Sequence, residues 1–365
     1  MDPVGKFKKR IMIIGEFPTQ KDDNRGQPWQ GSVGEFLKKG LAKCGIDLME
    51  DCLLINAVQC CPREGLPTAH HIVSCRDVRV LPQVQEHKPR LILLFGNYAL
   101  QSFVGSRGQK VGSIDRWRGY VIPDQDYNVW VAPMHHPNYI LKNDSKEYNV
   151  IWEQDLYRAT RKLMDALPEY KEPKIHYVEE LDVLDSIASG YAAFDYETTG
   201  LKPYSDGHRI VCASIATSAN EVYVFPMPDK KSKRKPFINF LQRADIGKVA
   251  ANLKFEDTWS RVRLKSKVVN WHWDTMIMAH VLDNRPGVTG LKFQTYAQLG
   301  VVDYSSHITP LLVSGGSNLL NKLASVKDDP VQLREVMKYC ALDSAHTYSI
   351  FEQQREELSV RSLPF

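Results

Sequence analysis

No stretch of this chain is apolar for long. No run approaches the roughly 20 residues that span a bilayer. The apolar segment behind the basic N-terminus, residues 11–14, is too short for a signal-peptide core. A cytoplasmic protein with no membrane partner is therefore expected. Cysteine is sparse: there are seven, at 44, 52, 60, 61, 75, 212 and 340. The odd number and the lack of any C-x-x-C exclude a secreted disulfide framework, and mostly reduced thiols, several of them buried, are expected. Net charge is also small, +4, too little to establish a nucleic-acid partner by itself. The cations are unevenly spread, though. Lys230-Lys231-Ser232-Lys233-Arg234-Lys235 is a compact basic run, and residues 107–118 carry four more cations. Each run is either a place for phosphates or a solvated loop.

What the chain does have is an ordinary globular composition, 43% apolar and 25% charged, which excludes a disordered or fibrous protein. A length of 365 residues points to two domains. In the first half, short apolar strands at 11–14, 52–58, 91–96 and 129–133 alternate with helices at 35–43, 75–86, 97–104 and 151–167. Such alternation predicts a parallel α/β sheet, in which ligands bind at the C-terminal strand ends. Glu16, Asn56 and His136 each follow a strand and are expected to converge on one pocket. A polar stretch at 167–174 with prolines at both ends reads as a connection. The expected domains are 1–168 and 177–365, joined by a linker at 169–176.

The second half is organised around Phe194-Asp195-Tyr196-Glu197-Thr198-Thr199-Gly200-Leu201, on a strand that opens at Tyr191 after a helix at 178–189. Side chains at i and i+2 leave a strand on one face, so Asp195 and Glu197 point at one spot. A cation relieves their repulsion, and an all-oxygen donor set favours Mg²⁺ or Mn²⁺. Strands at 209–216 and 221–225 continue a meander. Asn252-Leu253-Lys254-Phe255-Glu256-Asp257 follows, then helices starting at 273 and 291. A long helix over 332–358 carries Tyr339-Cys340-Ala341-Leu342-Asp343, with Tyr339 and Asp343 on one face at i and i+4.

The first half resembles the uracil-DNA glycosylase superfamily, most closely its fourth family. The motifs that carry the likeness are Gly15-Glu16-Phe17-Pro18, the acidic pair Asp22-Asp23, Gly26-Gln27-Pro28-Trp29-Gln30-Gly31, the strand-end Asn56, and His136-Pro137-Asn138-Tyr139. The resemblance implies an α/β/α fold and a pocket for a base flipped out of the stack. Trp29 would stack on that base and the Asn56 amide would read its Watson–Crick edge. His136 would donate to the oxygen of the departing base. Glu16, or else Asp22 or Asp23, would orient water. Phe17 and Thr19 replace residues that are small in the family, so Phe17 is expected to narrow the pocket. That family also carries a [4Fe–4S] cluster on four cysteines. Cys60 and Cys75 match the second pair, but the first pair is missing and residues 1–10 hold no cysteine, so a complete cluster is not expected.

The second half resembles the tyrosine-containing 3′–5′ proofreading exonucleases of family A DNA polymerases, on the segments at Phe194 to Leu201, Asn252 to Glu256 and Tyr339 to Asp343. The resemblance implies a mixed-sheet, ribonuclease H-like α/β fold and two divalent cations held by Asp195, Glu197, Glu256 and Asp343. Tyr339 would direct the attacking water, and Asn252 would lie against the substrate. Glu256 stands where an aspartate is usual and Asp257 follows it, so either is a candidate ligand. Phe293 and Trp259 are candidates for base stacking or core packing.

The two halves in this order resemble the N-terminal part of some bacteriophage DNA polymerases. That implies DNA, single-stranded or with frayed 3′ ends and in some cases uracil-containing, as substrate. A DNA polymerase, in cis or in trans, would be the partner. No polymerase domain is read in the sequence; a polymerase fragment and a separate proofreading subunit both fit. The first half is either a working glycosylase, a uracil-recognition unit, or a degenerate module that only binds DNA or polymerase.

Overall fold

The computed structural model describes residues 1–62 and 65–360. The chain forms two compact units: Met1–Tyr170 with Tyr296–Asp303, and Lys171–Thr295 with Tyr304–Phe365. The last residues of the expected second domain, 361–365, lie outside the described residues.

The strands of the first unit are β1 (Ile11–Gly15), β2 (Cys52–Asn56), β3 (Leu91–Phe95), β4 (Ile122–Asp124) and β5 (Val129–Met134). They form one sheet in the order β2-β1-β3-β5-β4. The first four are parallel, as the strand–helix alternation predicts, and β4 pairs antiparallel with β5 at the edge. The sequence reading missed β4. It is three residues long and holds Pro123, which an edge strand tolerates because it needs fewer ladder donors. The parallel strands are buried throughout, since helices cover both faces. The helices Ser32–Lys43 and Lys146–Arg161 supply Leu37, Leu41, Trp152 and Leu156 to the core on one side. Gly40 is needed there, because a Cβ would sit 2.5 Å from the Trp152 ring.

The second unit holds β6 (Lys174–Tyr177), β7 (Gly190–Thr198), β8 (Ile210–Ser218), β9 (Glu221–Pro226), β10 (Ile246–Ala250) and β11 (Trp271–Asp274). Their order is β11-β10-β7-β8-β9-β6. β7, β8 and β9 are antiparallel neighbours, while β10, β11 and β6 join in parallel. The sheet is therefore mixed, as expected for this half. Period two on β7 sets the two faces. Phe194 and Tyr196 enter the core under the helix Lys235–Gln242, and Ala193, Asp195 and Glu197 face the opposite way. There the long helix Pro330–Val360 crosses the sheet. It is pinned by the Ser214 hydroxyl, which donates to the Cys340 carbonyl at 2.8 Å and lies 2.6 Å from the Ser344 hydroxyl. Ser214 is the register partner of Asp195, so this small-residue contact sets the helix over the acids.

Three local readings are corrected. The helix expected to start at Trp273 begins at Thr275, because Trp271–Asp274 is β11. The expected linker at 169–176 runs into β6, whose residues are only half-buried and so carry a weak strand pattern. The helix expected over 178–189 is a 3₁₀ turn at Leu181–Ser186. Its buried residues, Leu181 and Leu184, lie three apart, the spacing that eclipses in a 3₁₀ turn.

Candidate functional site

Three segments bring the acids of the second unit together: the end of β7, the helix Leu253–Trp259 and the helix Pro330–Val360. Asp195, Glu197 and Cys340 offer ligand atoms that all lie within 4.8 Å of one another. The Cys340 thiol lies 3.6 Å from Asp195 Oδ2. Asp343 stands three residues further along the same helix. Burial, then the charge of Asp343, raises the carboxyl of Asp195, with Lys292 partly offsetting. Glu197 is pushed well above the carboxylate range by burial and by Asp195, and Glu256 by burial and by Asp195. Asp195 is thus the acid through which the charges of Asp343, Glu197 and Glu256 are linked.

The second segment is held by Asp274. Its Oδ1 accepts the Asn252 N–H at 3.0 Å, and its Oδ2 the Leu253 N–H at 2.9 Å. Asn252 is left-handed, φ 73°, which an asparagine tolerates, and it caps the helix that carries Glu256. Glu256 is 2% exposed, and its Oε2 has no hydrogen-bond partner. Asp257 is differently placed: Arg261 bonds it at 2.5 Å and the Trp271 indole at 3.2 Å. Tyr339 is buried beside Asp343, and burial together with the charges of Asp343 and Glu197 raises its hydroxyl. Phe293 and Trp259 are core residues, fully or almost fully buried.

A hard divalent cation fits this donor set. Beside the Cys340 thiol, the candidate donors are carboxylate oxygens, one of them an orphaned buried atom, and the shifts of Asp195, Glu197 and Glu256 push them toward protonation unless positive charge is supplied. Sequence reasoning missed three neighbours of the site. Cys340 was read only as a buried cysteine, although it lies inside the third motif. Lys292 is bonded to Asp343 Oδ1, and the Tyr304 hydroxyl donates to that same oxygen at 2.6 Å. Nothing in the local sequence marks Tyr304.

In the first unit, Glu16, Gly96, Asn97, His135, His136 and Tyr139 are among the residues lining a cavity of about 290 Å³ at the C-terminal strand ends. Glu16 lies over Gly96, where a Cβ would fall 2.4 Å from its carboxylate. It accepts from the Tyr98 N–H at 3.4 Å, and burial raises its carboxyl against that bond. His136 caps the helix Pro137–Asn143, its Nδ1 accepting the Asn138 N–H at 3.2 Å. The proton of the neutral ring therefore sits on Nε2. Burial lowers His136 to about 4, with Asp22 opposing. Trp29 stacks on His136, ring centroids 5.2 Å apart and 14° from parallel. Asn56 closes on Gly15 beside Trp29: a Cβ on Gly15 would lie 2.4 Å from the amide oxygen and 2.7 Å from the indole.

Trp29, Asn56 and Phe17 are not among the lining residues of that cavity. Phe17 packs edge-on against Tyr98 at 5.2 Å. Asp22 braces its own loop, accepting from Thr19 and from the Gln30 N–H at 2.8 Å, and Asp23 is exposed. Cys60 is exposed and Cys75 half-buried. With two of four thiolate positions filled, the donor set does not fit an iron–sulfur cluster. Of the basic runs, Arg107 pairs with Asp126 and Arg118 with Asp155, and Lys233 pairs with Glu180. Among the described residues no helix is long and apolar enough to cross a membrane.

Comparison with known proteins matches residues 3–157 to the uracil DNA glycosylase superfamily and residues 177–359 to a 3′–5′ exonuclease family. The type-4 uracil-DNA glycosylase of Thermotoga maritima is 35% identical over 156 residues, covering 42% of this chain and 78% of that protein. The DNA polymerase of Bacillus phage SP01 is 25% identical over 323 residues, which is 77% of this chain and 33% of the polymerase. Among solved structures, Brucella melitensis NrnC with bound Mg²⁺ aligns with 52% of this chain and 84% of that one, at 17% identity and a TM-score of 0.39. The chain therefore belongs to the uracil DNA glycosylase superfamily through its first unit and to the 3′–5′ exonuclease family through its second.

Proposed function

We propose that the second unit is a divalent-cation-dependent exonuclease that removes nucleotides from single-stranded or frayed 3′ ends of DNA. Asp195, Glu197, Glu256 and Asp343 would be its cation ligands and Mg²⁺ or Mn²⁺ its cations. The observation that carries this reading is the gathering of acids from three distant segments into one buried cluster, where Asp343 raises Asp195, and Asp195 raises Glu197 and Glu256. Such a cluster is costly to fold unless positive charge offsets it. Two divalent cations held there would neutralise charge on the phosphodiester and activate water. The chain's own groups do the rest. Tyr339 directs the water through its hydroxyl, and Asn252 lies against the strand. Glu256 is assigned over Asp257 because Asp257 is already bonded to Arg261 and Trp271.

The test is digestion of a 3′-labelled single strand by the full chain and by Asp195→Asn, with and without EDTA. Loss of digestion by at least about a thousand-fold, with DNA binding retained, is expected. Wild-type digestion by the variant sinks the reading.

For the first unit, the cavity lined by Glu16 and His136 favours uracil recognition with hydrolysis of its glycosidic bond. Glu16 would hold the water that adds to the sugar carbon as the base leaves. The His136 Nε2–H would donate to the base oxygen that gains negative charge. Asn56 would select the uracil edge and Trp29 would pack beside it. An abasic-site assay on uracil-containing single strands decides this. No product above an Asn56→Ala, His136→Ala background would leave a non-catalytic, DNA-binding role. A DNA polymerase, in cis or in trans, is the proposed partner, because the likeness to the phage polymerase spans 77% of this chain. The proposed setting is the cytoplasm of a bacterial host.

A further inference from the structure

Among the described residues, Lys292 is the only Lys or Arg within ion-pair distance of any of Asp195, Glu197, Glu256 and Asp343; its Nζ is bonded to Asp343 Oδ1. That oxygen also accepts the Tyr304 hydroxyl at 2.6 Å, and the hydroxyl in turn accepts from Lys292 Nζ at 2.8 Å. The ammonium lies 3.9 Å from the centroid of the Tyr304 ring and 4.1 Å from that of Tyr339. Two aromatic faces and a carboxylate thus cradle one positive charge. The Asp343 side chain is 9% exposed, but that of Lys292 is 35% exposed. The lysine can swing into water without opening the core.

A carboxylate oxygen that receives both an ammonium and a hydroxyl has its lone pairs committed. A divalent cation needs such an oxygen at close range, and it repels an ammonium already there. The two cations therefore exclude each other at Asp343 Oδ1. We propose that Lys292 is the resident counter-ion of the cleft: it holds Asp343 in place when no divalent cation is bound, leaves Asp343 when one enters, and so sets how tightly that cation binds. This rests on the reading of the four acids as cation ligands. Lys292 touches a ligand rather than the substrate, so it is a positioning residue.

The counter-ion role makes a prediction of opposite sign to a structural one. Removing the ammonium removes a competitor, so cation binding tightens. It also uncovers the repulsion among the acids, so the cation-free protein becomes less stable. A lysine that only braces the fold would lower stability equally with and without cation and would not improve binding.

The experiment titrates Mn²⁺ into the full chain without DNA, following free Mn²⁺ by electron paramagnetic resonance. It compares wild type, Lys292→Met, Lys292→Arg and Asp195→Asn, and records thermal unfolding of each with and without Mn²⁺. Lys292→Met is expected to bind Mn²⁺ about ten-fold more tightly, with a lower melting temperature in the cation-free state and a wider gap to the loaded state. Lys292→Arg, which keeps the charge, should stay close to wild type. Binding by Lys292→Met that is unchanged or weaker overturns the counter-ion role. No Mn²⁺ binding by wild type, or unchanged binding by Asp195→Asn, instead overturns the cation-ligand reading beneath it. Should Lys292→Met fail to fold, Tyr304→Phe removes only the hydroxyl that ties the ammonium to Asp343. It should tighten Mn²⁺ binding by a smaller factor, and unchanged or weaker binding there overturns the proposal equally.

Discussion

His136 offers a direct test of the first unit, because its environment fixes both its charge and its tautomer. Burial lowers its pKa from 6.5 to about 4. Above pH 6.5 the ring is neutral in folded and unfolded chains alike. As pH falls from 6.5 toward 4, the unfolded imidazole takes a proton and the folded one does not. Stability is therefore full above 6.5, is lost across that window, and changes no further below it. A move from 6.5 to about 4 corresponds to about 3 kcal/mol; the ring keeps some contact with water, so about 2 kcal/mol is expected. Urea unfolding at pH 7 and pH 4.5 measures it. His136→Asn should abolish this part of the acid sensitivity while leaving that of the other buried histidines, such as His346. Nitrogen-detected NMR of the imidazole supplies the microscopic check: a neutral ring protonated on Nε2 down to about pH 5, because Nδ1 accepts from Asn138. A His136 that titrates near 6.5, or equal pH dependence in wild type and variant, would refute the argument. It would also remove the neutral donor on which the glycosylase reading depends.

Two further perturbations separate neighbouring roles. Glu256→Gln should slow 3′ digestion about a hundred-fold, about 2.7 kcal/mol of barrier, whereas Asp257→Asn should change the rate little and cost stability through lost bonds to Arg261 and Trp271; single-turnover digestion beside urea unfolding distinguishes them, and the reverse pattern would exchange the two assignments. Gly34→Ala would place a Cβ 1.7 Å from the Trp29 carbonyl oxygen, so the loop holding Trp29 must move. A loss of about 2–3 kcal/mol with altered indole fluorescence is expected, and an unchanged protein would show that the loop has slack.

The parts of the site that were legible in the sequence are those set by local periodicity. Alternation on β7 separates Phe194 and Tyr196 from Asp195 and Glu197, and a strand makes that separation whatever surrounds it. The helical spacing of Tyr339 and Asp343 works the same way. Lys292 and Cys340 were illegible as site residues for the opposite reason. They meet Asp343 and Asp195 across 51 and 145 residues of chain, and no periodicity reports a meeting that the sheet order creates. The choice between Glu256 and Asp257 was also beyond the sequence. It turns on which carboxylate finds Arg261 one turn later, and both acids are adjacent on the same helix start. Four strands escaped notice: β4 is too short and β6 too exposed to write a clear pattern, β10 was not read, and the four-residue β11 was taken for the start of the helix that follows it.

The two units treat ionisable groups in contrasting ways, and the contrast follows from what each would bind. In the first, burial lowers His136 and raises Glu16, so both groups are driven toward their uncharged forms. That suits a neutral base, which gains charge only as its bond breaks and is then best met by a fixed neutral donor. In the second, burial and neighbouring carboxylates raise Asp195, Glu197 and Glu256, yet among the described residues one ammonium alone pairs with the cluster. Once ionised, such a cluster would repel the proposed phosphodiester substrate. The two divalent cations proposed for it would offset the four carboxylates, so cation binding is expected to precede or accompany the strand. On the proposed reading the order of binding would follow from the charge arrangement, and Lys292 would act on its first step.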